Sequence, residues 1–276
     1  MTEPATRPAD SIWRPYPGPA GQDIDLRIRR VMSPQLGNFR DVVVALPPSY
    51  RDGLARFPVL YMQDGQNLFD PATSFAGDWR LSVTLADLGR RGVEAIVVGI
   101  ANAGKRRIYE YTPFRDLVRG GGGGDRYLSF VVDTVKPMID RDLRTRPGRD
   151  DTIIAGSSLG GLISLYALWR HPEVFGAAGA LSPSIWFARR AILGYLEGID
   201  RPVGRVYLDI GLEEPTGAIA DVRALREILL AKGLRPGIEL DYLEEEGGLH
   251  NEETWGRRVS RALPFLIGLA EDRRAA

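Results

Sequence analysis

Residues 152–168 read TIIAGSSLGGLISLYAL, and this stretch decides the fold. Its first four residues are β-branched or small and apolar, as in a buried strand. Residues 160–169 then have the length and apolarity of a buried helix. Between the two stands Gly156-Ser157-Ser158-Leu159-Gly160, a G-x-S-x-G pattern. In 276 residues with 32 glycines, chance supplies about 0.16 such patterns, so the flanking elements must carry the argument. A strand turning sharply into a helix holds one serine at the turn, and the two glycines let strand and helix crowd together. Ser158 would then project at the carboxyl edge of a sheet, beside backbone N–H groups at a helix start. The competing reading is a serine that only caps the helix, a task Ser157 could also perform.

Working outward, the chain alternates between strand and helix patterns. Residues 24–33 and 39–46 predict an antiparallel hairpin around the turn PQLGN. Strands follow at 57–63, 95–100, 152–155, 177–181, 206–210 and 238–243. Helices are expected at 79–91, 127–143 (with a break or reset at Pro137), 160–169, 188–196, 218–231 and 253–269. A hairpin followed by repeated strand–helix units implies an α/β fold, a mostly parallel sheet of eight strands with helices on both faces. Residues 1–22, rich in Pro and Gly, predict a poorly ordered arm, and 23–276 a single domain. The five glycines at 120–124 lack the Lys and Ser or Thr of a nucleotide loop and predict a flexible surface loop.

Composition removes whole classes of chemistry. There is no Cys, so disulfides, thiolate metal sites and a cysteine nucleophile are excluded, and two histidines are too few for a multi-histidine metal centre. Neither a cofactor nor a metal is expected. Lys plus Arg (36) balances Asp plus Glu (36), which gives no global field for nucleic acid or an anionic membrane. No secretory signal pattern or membrane-length apolar run is visible, so a cytoplasmic location is expected.

A serine hydroxyl needs a base. His250, in EEEGGLHNEETW after the last strand, lies at the same sheet edge as Ser158 in this topology. His171 is at the far end of the helix that starts at Ser158, roughly 16 Å away. The third member should be a carboxylate after the strand at 206–210, where the text is LDIGLEEPTG. Glu214 is favoured and Glu213 is second. Asp209 lies inside the strand, and Glu244, Glu245 and Glu246 precede the His250 loop. Oxyanion donors are expected from the N–H of Leu159 and that of Gln66, the latter brought close by Gly65.

The segments LYMQDGQNLFD, GIANAGKRRIYEYTPF, AGSSLGGLISLYAL, LSPSIWF, DIGLEEPTG and GGLHNEETW together resemble the esterase family of α/β-hydrolases. That family includes enterochelin and other ferric-siderophore esterases, feruloyl and acetyl xylan esterases, S-formylglutathione hydrolases and mycolyltransferases. The resemblance runs over about residues 24–270. It implies an α/β-hydrolase fold with Ser158 as nucleophile, His250 as base and Glu214 as the acid, although some siderophore esterases rely on a Ser–His dyad. SPSIWF and the spacing from His250 to Trp255 resemble the siderophore-esterase branch and imply that Trp186 and Phe187 line the substrate cleft. Arg107, Glu110 and Tyr111 also match the family. Here an Arg107–Glu110 ion pair is as good a reading as substrate contact. Only one short helix fits between Ser182 and residue 206, so no large lid is expected. The expected function is hydrolysis of a small-molecule, saccharide or siderophore ester. The alternatives are an acyltransferase using the same residues and a binding protein that kept the fold.

Overall fold

The computed structural model describes residues 13–18, 24–201 and 203–268. Strands β1 (Arg14–Pro15), β2 (Asp25–Ser33), β3 (Asn38–Leu46), β4 (Val59–Gln63) and β5 (Ile96–Ile100) build half of the main sheet. The other half is β8 (Thr152–Ser157), β9 (Ala177–Leu181), β10 (Arg205–Gly211) and β11 (Leu240–Glu245). A separate two-stranded ribbon joins β6 (Arg115–Asp116) to β7 (Gly120–Gly121). Among the described residues the main sheet has nine strands, in the order β1-β2-β3-β5-β4-β8-β9-β10-β11. Pairing is antiparallel from β1 to β5 and parallel from β5 to β11.

The ninth strand is β1, inside the segment expected to be an arm. Arg14 and Pro15 pair with Ile28 and Arg27, and Trp13 is buried with its indole N–H donating to Asp142. A buried indole anchors this short piece in a way no periodicity could reveal. Residues 1–12 and 19–22 of that arm lie outside the described residues.

Helices α1 (Leu81–Arg90) and α8 (Glu252–Ile267) cover one face of the sheet. The other face carries α3 (Gly124–Phe130), α4 (Lys136–Asp142), α5 (Leu159–Arg170), α6 (Phe187–Glu197) and α7 (Thr216–Ala231), with the short α2 (Arg107–Tyr111) beside them. The period-2 alternation explains the division: Tyr61 and Ile154 face the second set, whereas Leu60 and Ile153 face α1 and α8. The expected reset at Pro137 is seen as a wide π turn over Val131–Val135, because Pro137 has no N–H to continue the α ladder. Helix α5 is buried from Leu159 to Trp169, as its uniformly apolar sequence demands. Among the described residues only α6 fills the space between β9 and β10, with no large lid there.

The five-glycine run is packed. Gly122 and Gly124 N–H groups both donate to Thr112 O, and a Cβ on Gly124 would stand 2.9 Å from Pro113 Cα. These glycines serve close approach, and the expectation of a loose loop is corrected. Strand β5 lies on one side of β4 and β8 on the other, so the chain reverses direction across the sheet between β4 and β8. Open α/β sheets bind ligands at the carboxyl ends of strands that flank such a reversal. Among the described residues no helix is long and apolar enough to cross a membrane.

Candidate active site

At the reversal, β8 runs into α5 through Ser158, whose backbone has φ 55° and ψ −122°. A non-glycine residue there costs about 1–3 kcal/mol and persists only where its surroundings impose it. They do so here. The Ser158 N–H donates to Leu181 O, its carbonyl accepts from Ser184 N, and side chains at positions 156 and 160 would each meet Gln63 at 2.8 Å. Ser157 is buried inside the turn, and Ser158 is the accessible serine.

Ser158 Oγ lies 3.0 Å from His250 Nε2, and His250 Nδ1 lies 2.6 Å from Glu214 Oε2. The loops that carry His250 and Glu214 are held together by glycine: a Cβ on Gly211 would collide with the backbone of Gly248. Glu213 N donates to Gly248 O, and Asn251 caps α8 by accepting from Thr254 N, which fixes the residue next to His250. The His250 ring stands edge-on to Trp255 with centroids 4.8 Å apart.

The candidate acids differ in what they touch. Glu214 meets the imidazole and its side chain is 1 % exposed, while Glu213 faces solvent. Burial raises the Glu214 carboxyl, but bonds from His250, Ser182 and the Gly211 N–H outweigh it and leave it below the ordinary range. Asp209 is fully buried inside β10 and bonded to Ser182 N and Arg258. Burial pushes its carboxyl up to about 7, against the pull of Arg258. Glu244 is taken by Arg223 and Tyr242, Glu245 stands beside Arg257 and Arg258, and Glu246 is exposed. His171 sits past the far end of α5 beside Glu173.

Neither of the two expected oxyanion donors, Leu159 N–H and Gln66 N–H, donates to another group among the described residues. The left-handed residue of the Gln66 turn is Asp64 (φ 55°), not Gly65. Gly65 is required because its Cα packs on the backbone of Gly99. Arg107 grips Asp64 through Nε and Nη2 at 2.8 and 2.7 Å, Asn102 donates to the same carboxylate, and Tyr111 OH bonds Asp64 N. The alternative Arg107–Glu110 pair does not form, because Glu110 is buried against Arg40 at 2.5 Å. Arg107 and Tyr111 therefore brace the turn that presents Gln66.

Two cavities meet at His250. One, of about 700 Å³, is lined by Trp186, Arg189, Arg190, Pro215 and Asp221. The other, of about 690 Å³, is lined by Gln66, Phe75, Asn102, Arg107 and Ser158. Trp186 is 44 % exposed and borders the first. Phe187 is 2 % exposed and belongs to the core, its ring set against Gly121 and outside both cavities. The chain turns at this point: residues 188–190 are left-handed, so neighbouring side chains diverge. Among the described residues no cluster of His, Asp and Glu could hold a metal.

Sequence reading missed Ser182, Ser184 and Arg258. Ser184 Oγ is 3.1 Å from Ser158 Oγ, and Ser182 and Arg258 lie beneath Glu214. One signal existed. Arg258 falls three residues after Trp255 and four before Ala262, on the apolar stripe of α8, where a cation needs a buried partner.

The chain matches the model of the family described as "Putative esterase" over residues 33–266. It is 28% identical over 245 residues to the uncharacterized protein YbbA of Bacillus subtilis, covering 83% of this chain and 93% of that protein. It is 32% identical over 162 residues to the siderophore triacetylfusarinine C esterase of Aspergillus fumigatus, covering 55% of this chain and 53% of the relative. The enterobactin esterase FES from Shigella flexneri, solved in the presence of enterobactin, superposes with a TM-score of 0.72 at 21% identity. That superposition covers 90% of this chain and 60% of the other and shows a shared α/β-hydrolase fold.

Proposed function

The chain belongs to this esterase family and is a carboxylic-ester hydrolase, and from that premise we propose that Ser158, His250 and Glu214 act as its catalytic triad. The observation that carries the proposal is the continuous line from Ser158 Oγ through the imidazole to the Glu214 carboxylate. Neutral His250 takes the Ser158 proton at Nε2 as Oγ attacks the ester carbonyl carbon. The carbonyl oxygen becomes an oxyanion, met by the N–H groups of Leu159 and Gln66. The imidazolium, stabilised by ionised Glu214, returns its proton to the departing alcohol and leaves an acyl group on Ser158. Water, activated by the same imidazole, then releases the acid and restores the serine. No step requires a cofactor.

The substrate we propose is a bulky ester with groups on both sides of the scissile bond, such as a siderophore lactone or an acylated sugar. Two open cavities meeting at His250, with Trp186 at one and Phe75 at the other, support this reading, as does the activity named for the Aspergillus relative. The test is a hydrolysis screen of the wild type and Ser158→Ala on short p-nitrophenyl esters, feruloyl esters, acetylated xylan and ferric-siderophore lactones. Turnover of the bulky esters at least tenfold above the short ones supports the proposal. Preference for the short esters overturns the substrate class.

A further inference from the structure

Beneath the Glu214 carboxylate lies a buried network that the mechanism above does not use. Ser182 Oγ has three polar neighbours: Trp255 Nε1 at 3.1 Å, Arg258 Nη2 at 2.9 Å and Glu214 Oε1 at 2.5 Å. A hydroxyl has one proton to give and two lone pairs to receive. Indole and guanidinium nitrogens can only donate, so they occupy both lone pairs, and the hydroxyl proton must point at Glu214. Its direction is dictated by the donor count. Arg258 is itself tied by Nη1 to Asp209 Oδ1 at 2.9 Å, and it stands 3.4 Å from Glu245 and 3.9 Å from Glu214. Among the described residues it is the one buried cation beside these three carboxylates. Ser182 has a left-handed backbone (φ 43°), held by its N–H, which donates to the side chain and carbonyl of Asp209.

From this geometry we infer that Ser182 and Arg258 are positioning residues, which keep Glu214 ionised and oriented toward His250 Nδ1 through a one-way hydrogen-bond relay. The inference rests on the triad proposed above. The Oε1 atom of Glu214 is filled by Ser182 O–H and Gly211 N–H, so only Oε2 is left for the imidazole. The groups that face this carboxylate are His250 from its loop, Arg258 from α8 and Asp209 from β10. Glu245 of β11 and Tyr207 of β10 stand one step further out, beside Arg258 and Asp209. The relay works through charge. Each donor aimed at Glu214 favours its ionised form, and removing one raises the proton affinity of the His250–Glu214 pair as a unit.

The experiment is the pH profile of kcat/KM for p-nitrophenyl acetate in wild type, Ser182→Ala, Ser182→Gly and Glu214→Gln. Melting temperatures and fluorophosphonate labelling of Ser158 are measured alongside. Loss of the Ser182 hydroxyl should reduce kcat/KM about ten- to hundred-fold and move the acid limb up by about one pH unit. Glu214→Gln should move the same limb down, because it deletes the negative charge. Glycine at 182 suits the left-handed backbone and removes the strain argument, so both Ser182 variants should shift alike. A structural role alone would lower the melting temperature and leave the limb in place. An unmoved limb in both folded Ser182 variants overturns the relay. Failure of the wild type to label at Ser158 overturns the triad, and the relay with it.

Discussion

Glu214→Gln tests the acid most sharply, because the structure fixes what the amide would do. Glu214 Oε1 accepts from Ser182 O–H and Gly211 N–H, and Oε2 accepts from His250 Nδ1. In the variant the amide oxygen satisfies Ser182 and Gly211, which places the NH₂ against Nδ1. Nδ1 must then be the unprotonated nitrogen, and the ring proton sits on Nε2, facing Ser158. That tautomer cannot take the serine proton. The lost charge adds to this: opposite charges about 4 Å apart at an effective dielectric constant of 20 interact by about 4 kcal/mol, close to a thousandfold in rate. His250 is 41 % exposed, so solvent screens part of that term, whereas the tautomer effect is local. The combined loss in kcat/KM should be about a thousand- to ten-thousandfold. The assay is p-nitrophenyl ester hydrolysis at saturating and limiting substrate, with Glu213→Gln as the solvent-facing control, which should retain full activity. A Glu214→Gln enzyme within about tenfold of wild type would refute the triad in favour of a Ser–His dyad. A crippled Glu213→Gln would move the acid to its neighbour.

Ser158→Ala should abolish turnover and fluorophosphonate labelling with an unchanged melting temperature, while the folded fraction of Ser157→Ala keeps both; the reverse pattern would sink the elbow assignment. EDTA should leave the rate unchanged, and activity lost in chelator and restored by added metal would argue against the mechanism. Gly65→Ala should lower both stability and kcat/KM, because the new Cβ would lie 2.6 Å from Ile100 N and push the Gln66 turn outward. Overpacking of this kind costs about 1–3 kcal/mol, and a stable, fully active variant would remove Gln66 from the oxyanion site. Asp209 predicts a pH-dependent stability. Its carboxyl is raised by burial from 3.8 to about 7, so its contribution to stability is fully present below the unfolded value and lost as pH rises through about 7. The stability of wild type relative to Asp209→Asn, from urea denaturation, should therefore increase as pH falls from 8 to 4; a constant difference would contradict the raised carboxyl.

What the sequence disclosed and what it hid divide along a physical line. Strand β8, helix α5 and the hairpin β2–β3 announce themselves because their apolar periodicity is local. Ser158 and His250 could be placed because they terminate such elements, and Glu214 because it follows a readable strand. The ribbon of glycines, the buried Phe187 and the partner of Arg107 were misread or left open because each depends on what packs against it from elsewhere. Gly121 needs Thr112 and Phe187 near it, and Glu110 prefers Arg40, seventy positions away in sequence. The polar layer beneath Glu214 is the extreme case, since Ser182, Asp209 with Glu214, Glu245 and Arg258 come from four separate segments.

The backbone shows why the site is assembled at this edge. Adjacent strands β4, β8 and β9 each end on a non-glycine residue in the left-handed region: Asp64, Ser158 and Ser182, with φ of 55°, 55° and 43°. Propensity opposes all three, at about 1–3 kcal/mol apiece, and each is held by a bond from a neighbouring segment. Asp64 N bonds Tyr111 OH, Ser158 N bonds Leu181 O, and Ser182 N bonds Asp209. An ordinary exit would let each strand run on past the sheet edge. The sharp reversals instead turn the chain at the sheet edge: in the proposed triad Ser158 Oγ would be the nucleophile and Ser182 Oγ would meet its acid, Glu214, while the turn begun at Asp64 would carry the Gln66 N–H toward the oxyanion. Backbone strain and the proposed chemistry thus coincide at positions 158 and 182, and glycine substitution separates them. Glycine at 182 relaxes the backbone and removes the hydroxyl. Glycine at 158 relaxes the backbone and removes the nucleophile, so it should raise the melting temperature while abolishing turnover.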